Sequence, residues 1–429
     1  MATTIDPQAH LATKPEAAPL RIRTLLLFLI GNRQAILDIA ANRHALWIGA
    51  LFVLSAAFAR DYDGEDLLHE PWHLLIPFAA SIVASLLLFI VACGRLYLRK
   101  TDRPPFFSAY RSFLALFWMT APLAWAYAVP YERFLSPVDA VHANLATLAV
   151  VALWRVLLMV RVVNVLTALE GTPSAMTVLL FADLLAIVAL SQMPTPIIGI
   201  MGGVRATAPA ASLGAFTALL WLVCAGALPV FCIGALVSLA MDKPAWRAAT
   251  ILASSPRSSR GIRTLAVGSV AIWAVFVPWT QREQVLRFQV TRLFQEGQIA
   301  GAVDFMSAHS QSDFPPQWDP PPRTGRRDLD SQMLDTMESI IARNAAPWVH
   351  ALYVDKFRAF LGHPALFYFY WRDENLSRIT RIMESVPEGS ELARERAKDV
   401  EERLKDETNM PKGDRENLQA ILDLAKSSE

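Results

Sequence analysis

Residues 213–240 read LGAFTALLWLVCAGALPVFCIGALVSLA, twenty-eight positions without one charged side chain. A helix needs about 20 apolar residues to cross the hydrocarbon core of a bilayer. The stretch therefore predicts a transmembrane span that is long enough to require tilt or a kink at Pro229. The whole chain of 429 residues is 54% hydrophobic and only 18% charged, and this composition predicts a membrane protein.

Six other apolar stretches approach the length of a span: 44–60, 72–94, 106–129, 140–163, 174–193 and 262–280. The first of these is the shortest. The segment 24–30 is shorter still and lies between arginines, which favours an amphipathic helix on the membrane surface. The sequence thus predicts an all-α fold, in which a cytoplasmic tail over 1–43 precedes a bundle of about seven spans over 44–280.

Basic residues alternate along the chain as the positive-inside rule requires. With a cytoplasmic N-terminus, sixteen Lys and Arg residues fall in the cytoplasmic segments, and only Arg60, Arg133 and Arg205 fall in the outside loops. Seven spans then put the C-terminal part outside the cytoplasm. Arginine outnumbers lysine 32 to 8, which is typical of a GC-rich bacterial genome, so the predicted location is a bacterial inner membrane.

The composition changes after residue 280. Residues 281–429 contain 20 basic and 25 acidic side chains, no cysteine, and apolar residues at helical spacing. A proline-rich stretch near 312–326 predicts an extended linker within this part. We therefore expect a soluble, all-helical domain that has a protein partner, in which the charged segment 391–407 forms a solvent-facing helix.

Residues 69–73, HEPWH, match the H-E-x-x-H pattern of zinc proteases. Zinc binding by this motif needs both histidines one turn apart on the same helix face. Pro71 fits better at the first position of a helix, with Glu70 as the capping residue and His69 outside the helix. The pattern therefore indicates the start of the second span rather than a metalloprotease.

The loop before this helix start is rich in carboxylates. Its candidate cation ligands are Asp61, Asp63, Asp66, His69, Glu70 and His73. Gly64 is fourth in the loop and not sixth, as the calcium loop of an EF-hand requires. We expect an acidic outside loop without a metal or a cofactor; a membrane metallo-enzyme at 61–73, with His142 near the same surface, is an alternative hypothesis.

Charges inside predicted spans are costly in lipid and are therefore candidates for function. Asp183 lies in the fifth span and Arg155 in the fourth, at depths that differ by about 4.5 Å for a rise of 1.5 Å per residue. Asn144 precedes Arg155 by nearly three full turns and shares its helix face. The spacing predicts an ion pair between Asp183 and Arg155, which would either fix helix packing or take part in transport or proton relay.

Three hypotheses of function follow from these patterns. The sequence has no nucleotide-binding motif, no nucleophile elbow and no paired C-x-x-C, and its basic residues follow topology rather than a nucleic-acid patch. The first hypothesis is a non-enzymatic anchor or scaffold that presents an extracytoplasmic binding domain. The second is a transporter or ion-coupled protein that uses Asp183 and Arg155, and the third is the metallo-enzyme.

Overall fold

A computed structural model of the protein describes residues 19–62, 65–98, 104–169, 171–192, 208–241, 245–246, 258–316, 318–322, 330–362, 373–406 and 410–427. Within these ranges the chain is helical and has no strand, which confirms the all-α prediction. Asp63 and part of the linker predicted near 312–326 lie outside the described residues.

The helices follow one another along the chain with short connections. They are α1 (Ile22–Leu29), α2 (Arg33–Ala41), α3 (Ala45–Asp61), α4 (Ile76–Leu98), α5 (Phe106–Trp118), α6 (Pro137–Thr167), α7 (Gly171–Gln192), α8 (Ala208–Met241), α9 (Arg260–Gln295), α10 (Ile299–Ser307), α11 (Asp330–Arg343), α12 (Pro347–Leu361), α13 (Asp373–Ser385), α14 (Gly389–Asp406) and α15 (Lys412–Lys426). Short 3-10 segments lie at Pro71–Leu75, Ala121–Ala128, Tyr131–Arg133 and Gln311–Asp313.

Six helical stretches in the described ranges are long and apolar enough to cross a membrane, which is consistent with a membrane protein. They are Pro71–Gly94, Phe106–Arg133, Pro137–Thr167, Gly171–Ser191, Ser212–Ser238 and Arg260–Gln295. Each overlaps one predicted span. The remaining prediction, 44–60, corresponds to α3, which has only 17 residues and counts as a seventh span only together with α2, from which it bends by 105°.

The second of these stretches is not one continuous α-helix. α5 ends at Trp118, and the chain resumes as the 3-10 segment Ala121–Ala128, in which Pro122 occupies one of the first two positions. Proline lacks the N–H that a continuing helix needs. The predicted single span over 106–129 therefore breaks near Thr120, and this break positions Thr120 beside α6.

The chain divides into two compact units. The first comprises Met1–Pro130, Ala143–Met193 and Leu219–Trp279, and the second comprises Tyr131–His142, Pro194–Ala218 and Thr280–Glu429. Each unit has its own hydrophobic core.

In the first unit α3 packs against α5 and against the 3-10 segment Ala121–Ala128. Gly49 permits this close approach, because a Cβ there would lie only 2.8 Å from Cβ of Trp118. α4 packs against α5 and α7. These neighbours bury much of α3, including Ile48, Phe52 and Val53.

One buried hydroxyl joins three elements of the first unit. Ser55 on α3 is only 1% exposed, and its Oγ accepts hydrogen bonds from Nε1 of Trp125 at 3.1 Å and of Trp273 at 3.2 Å. The same hydroxyl donates to the backbone oxygen of Ser269 at 2.8 Å. Because lipid offers no hydrogen-bonding partners, such polar groups must find them inside the bundle.

The second unit is a helical array. α14 packs against α15, and α13 contacts both of them as well as α11. Its core includes the fully buried Tyr353, Phe357 and Phe360 of α12. α9 ends at Gln295, and the chain then turns at Gly297, whose φ of +72° suits glycine.

Candidate functional site

The HEPWH stretch is a helix start, as the sequence indicated. Pro71 is the first residue of the 3-10 segment Pro71–Leu75, and Glu70 precedes it as the N-cap. The Glu70 carboxylate makes no hydrogen bond to the helix backbone; its Oε2 lies 3.2 Å from Nε2 of His73 instead. Nδ1 of His69 faces a different carboxylate, Oδ2 of Asp66, at 2.6 Å. The two histidines therefore do not form the common ligand face of a zinc protease.

Asp66 has a structural role in this loop. It is only 1% exposed, and its Oδ1 accepts hydrogen bonds from the backbone N–H groups of Leu68 and His69, both at 3.1 Å. Two backbone donors and an imidazole partner thus satisfy both oxygens of this buried carboxylate. Asp66 and His69 thus shape the turn that leads into Pro71.

The loop also gathers Glu65, Glu70 and His73. One possible ligand atom from each lies within 4.8 Å of the others, and all three side chains are half-buried. Two carboxylates and an imidazole form a ligand set that a divalent cation such as Zn²⁺ accepts. Among the predicted candidates, Glu70 and His73 belong to this group, whereas Asp61, Asp66 and His69 do not.

Glu65 is a member of this group that the pattern of the motif did not single out. It is brought towards His73 by the turns of the loop, in which the N–H of Glu65 bonds to the oxygen of Asp61 at 3.1 Å and the N–H of Glu70 to that of Asp66 at 2.9 Å. Only a high local density of acidic residues hinted at it in the sequence. Asp63, the sixth candidate, lies outside the described residues.

The predicted ion pair between Asp183 and Arg155 is absent from the part of the chain that the structure describes. Asp183 on α7 is 7% exposed and interacts with the thiol of Cys224 on α8. Its Oδ2 has no hydrogen-bond partner within the described residues. The physical reason is the choice of neighbours: α7 packs against α4, while Arg155 on α6 turns towards the region of Thr120.

Arg155 lies instead against the broken span. Its Nε donates to Oγ1 of Thr120 at 3.2 Å, and its guanidinium carbon lies 5.4 Å from the centre of the Phe117 ring, within the range of a cation–π interaction. No carboxylate among the described residues forms an ion pair with Arg155. Asn144, the third predicted member of this group, is exposed on α6.

Arg161, six residues further along α6, is placed differently from Arg155. Its Nε donates to the backbone oxygen of Gly31 at 3.2 Å, and its Nη1 donates to Oδ1 of Asn164 at 2.9 Å. The first bond connects α6 with the turn after α1, and the second lies within α6. Neither arginine forms an ion pair with a carboxylate among the described residues, but Arg161 donates to two protein acceptors and Arg155 to one.

Comparison of the chain with known proteins found no matching family model, no matching curated protein and no matching solved structure. Inferences about function therefore depend on the chemistry and geometry of this chain alone.

Proposed function

We propose that the protein is a non-enzymatic inner-membrane anchor or scaffold whose residues 281–429 form a soluble helical domain that binds a protein partner outside the cytoplasm. The distribution of exposed apolar surface carries this proposal. Forty large hydrophobic side chains are exposed up to Trp279, and none is exposed among the described residues after it. Lipid-facing helices present apolar side chains outward, whereas a domain in water buries them.

A separate core supports the same division. In the second unit, residues from α9 to α15 form one buried cluster that includes Val290, Tyr353 and Leu418. A domain with its own core can fold as a unit and needs only a membrane anchor to be held at the surface.

The surface of the second unit is polar, and ion pairs connect neighbouring helices there. Arg358 on α12 contacts Glu391 and Glu395 on α14, with N–O distances of 3.2 and 3.3 Å. Arg378 on α13 contacts Asp335 and Glu338 on α11, at 2.5 and 2.7 Å. Charged groups held in fixed positions favour selective recognition of a partner with complementary charge.

Site-specific photo-crosslinking in the full-length protein tests this proposal in cells. A photoreactive residue replaces Glu384, Glu402 or Lys412, which are exposed on α13, α14 and α15, or the lipid-facing Leu222 of α8 as a control. We expect a discrete protein adduct from at least one of the three surface positions and none from Leu222. Absence of adducts from all three positions would contradict a binding role for this domain.

A second candidate function, proton- or cation-coupled transport, is favoured by Asp183 alone. A buried carboxyl within a span, with one oxygen lacking a partner in the described residues, is typical of an ion pathway. In proteoliposomes with an imposed pH gradient, a proton pathway through Asp183 predicts a proton flux that Asp183→Asn abolishes. Thr177→Ala is the control, because its hydroxyl bonds only to the backbone of its own helix.

A further inference from the structure

A small cavity in the first unit has two arginines in its wall. It has a volume of about 120 Å³ and lies between α3, the start of α4, α5, the 3-10 segment Ala121–Ala128 and α6. Its polar lining consists of Arg60, Ser81, Tyr127 and Arg155, and the remaining walls are apolar or small. No Asp or Glu is among the residues that line it.

Only some of the N–H donors of Arg155 are hydrogen-bonded to the protein among the described residues. Of its five N–H donors, the one on Nε is taken by Thr120, and Phe117 covers one face. Within the described residues no acceptor is bonded to the two terminal nitrogens. Four donors in a planar fork therefore remain for whatever occupies the cavity.

The guanidinium is also held in place before anything binds. The Thr120 hydroxyl, which accepts from Arg155, itself donates to the backbone oxygen of Phe117 at 2.7 Å and is fully buried. On the opposite wall, Nε1 of Trp118 donates to Oγ of Ser81 at 2.8 Å. A rigid wall of this kind fixes the direction of the fork and lowers the entropic cost of binding.

Two further cationic or donor groups point to the same space. The phenol of Tyr127 is close enough to Arg155 and Arg60 to interact electrostatically with both. Arg60 also lines the cavity; its side chain is 70% exposed, and its ion-pair partner among the described residues is Oδ1 of Asp61, at 3.7 Å. The cavity wall thus carries two guanidinium groups, and the positive charge of Arg155, within the membrane domain, is costly without a counter-charge.

We infer that this cavity binds a small oxyanion, which Arg155 holds with its guanidinium fork and which Arg60 and Tyr127 further stabilise. The planar fork of arginine matches the geometry of carboxylate and phosphate oxygens. The volume limits the size of the ion, because one water occupies about 30 Å³ and pockets for larger organic ligands begin near 300 Å³. Inorganic phosphate fits this range, as does the phosphate of a lipid headgroup that enters from the membrane.

Thermal unfolding of the full-length protein in a phosphate-free maltoside detergent tests the inference. Inorganic phosphate is titrated at constant ionic strength, with chloride as the reference anion, and in a parallel series phosphatidic acid is added. We expect one of the two phosphate sources to raise the Tm of the wild type in a saturable manner. Saturation by inorganic phosphate identifies a free ion, and a response only to phosphatidic acid identifies a lipid headgroup.

The variants connect this response to the cavity. Arg155→Gln should weaken the apparent affinity by about tenfold or more, since it removes the bidentate charged contact. Tyr127→Phe, which keeps the ring, should weaken the apparent affinity to a lesser extent. This variant provides the test if Arg155→Gln does not fold. Arg161→Gln is the matched control and should leave the affinity unchanged. The inference is overturned if neither phosphate source shifts the wild-type Tm, or if the Tyr127 and Arg155 variants respond as the wild type does.

Discussion

Nε of Arg155 donates to Oγ1 of Thr120 at 3.2 Å, whereas the Asp183 carboxyl faces Cys224 on α8. Two opposite charges at similar depth in consecutive spans thus have separate environments. Because of this separation, neither charge neutralises the other. Asp183 lacks a cationic partner among the described residues, and Arg155 lacks an anionic one, so each is open to an independent role.

A double-mutant cycle with Asp183→Asn and Arg155→Gln tests the separation. Because the two side chains share no contact, we expect their effects on unfolding free energy to add within about 0.5 kcal/mol. Asp183→Asn alone should be neutral or stabilising, since it removes a buried charge with an unsatisfied oxygen. The measurement is thermal unfolding in detergent. A coupling energy above about 1 kcal/mol would show that the residues form the ion pair after all.

The cluster of Glu65, Glu70 and His73 leads to a prediction about metal content. The two histidines of the motif face different carboxylates, so we expect the purified protein to hold no stoichiometric zinc by elemental analysis. Glu70→Gln should cost at most about 1 kcal/mol of stability, the scale of a helix-terminal charge. Zinc that is lost in His73→Ala but retained in His69→Ala would revive the metallo-enzyme hypothesis, because only His73 belongs to the cluster.

The features that sequence could predict are those set by local chemistry. Pro71 at a helix start follows from a restriction on φ that holds in any surroundings. Apolar runs in the sequence predict six stretches that the structure shows as helices of spanning length. Such a prediction needs only the length and the apolarity that a bilayer demands. Such features need no knowledge of which helices become neighbours.

Features that depend on tertiary neighbours could not be predicted in this way. Arg155 finds Thr120 because the span after α5 breaks, and Asp183 finds Cys224 because α8 contacts α7. Glu65 approaches His73 through two turns of a loop. The position of a residue along a span predicts its depth in the membrane. It does not predict the direction of the side chain or the helix that the side chain faces.

Ser55 leads to a prediction about the stability of the first unit. Ser55→Ala removes the acceptor of two indole N–H groups and a donor to Ser269. Hydrogen bonds in membrane proteins contribute about 0.6 kcal/mol each on average, so we expect a loss of about 1–2 kcal/mol. Thermal unfolding in detergent measures it. Thr177→Ala, which removes a bond within one helix, should cost clearly less; equal costs would contradict a linking role for Ser55.

The ion pair between Glu338 and Arg378 predicts a pH dependence in the second unit. The hydrogen bond from Nε of Arg378 to Oε1 of Glu338, at 2.9 Å, lowers the pKa of that carboxyl below its ordinary value. A lowered pKa in the folded state contributes stability above the unfolded pKa of about 4.3, and this contribution is lost as the pH falls through the folded pKa. The side chain of Glu338 is 41% exposed, so solvent screening limits the contribution to about 0.5 kcal/mol.

Hydrogen exchange of α11 in the full-length protein can detect this effect. Glu338→Gln should exchange faster than the wild type at pH 7, and the difference should shrink as the pH falls below 4. Glu384→Gln is the control, because Glu384 is exposed on the helix that carries Arg378 and makes no ion pair within the described residues. A difference that persists unchanged at low pH would exclude the carboxylate charge as its cause.

α2 and α3, which meet at a bend of 105°, are the pair whose crossing of the bilayer would set the side on which residues 281–429 lie. If the pair α2 and α3 crosses the bilayer, seven spans follow a cytoplasmic N-terminus and residues 281–429 lie outside. If the pair does not cross, six spans return these residues to the cytoplasm. The excess of basic residues in alternate loops favours seven. A C-terminal alkaline phosphatase fusion should therefore be active, and a C-terminal GFP fusion should be dark. The opposite pattern would mean that α3 is a protein-packed helix rather than a span, and that the proposed partner of the helical domain is cytoplasmic.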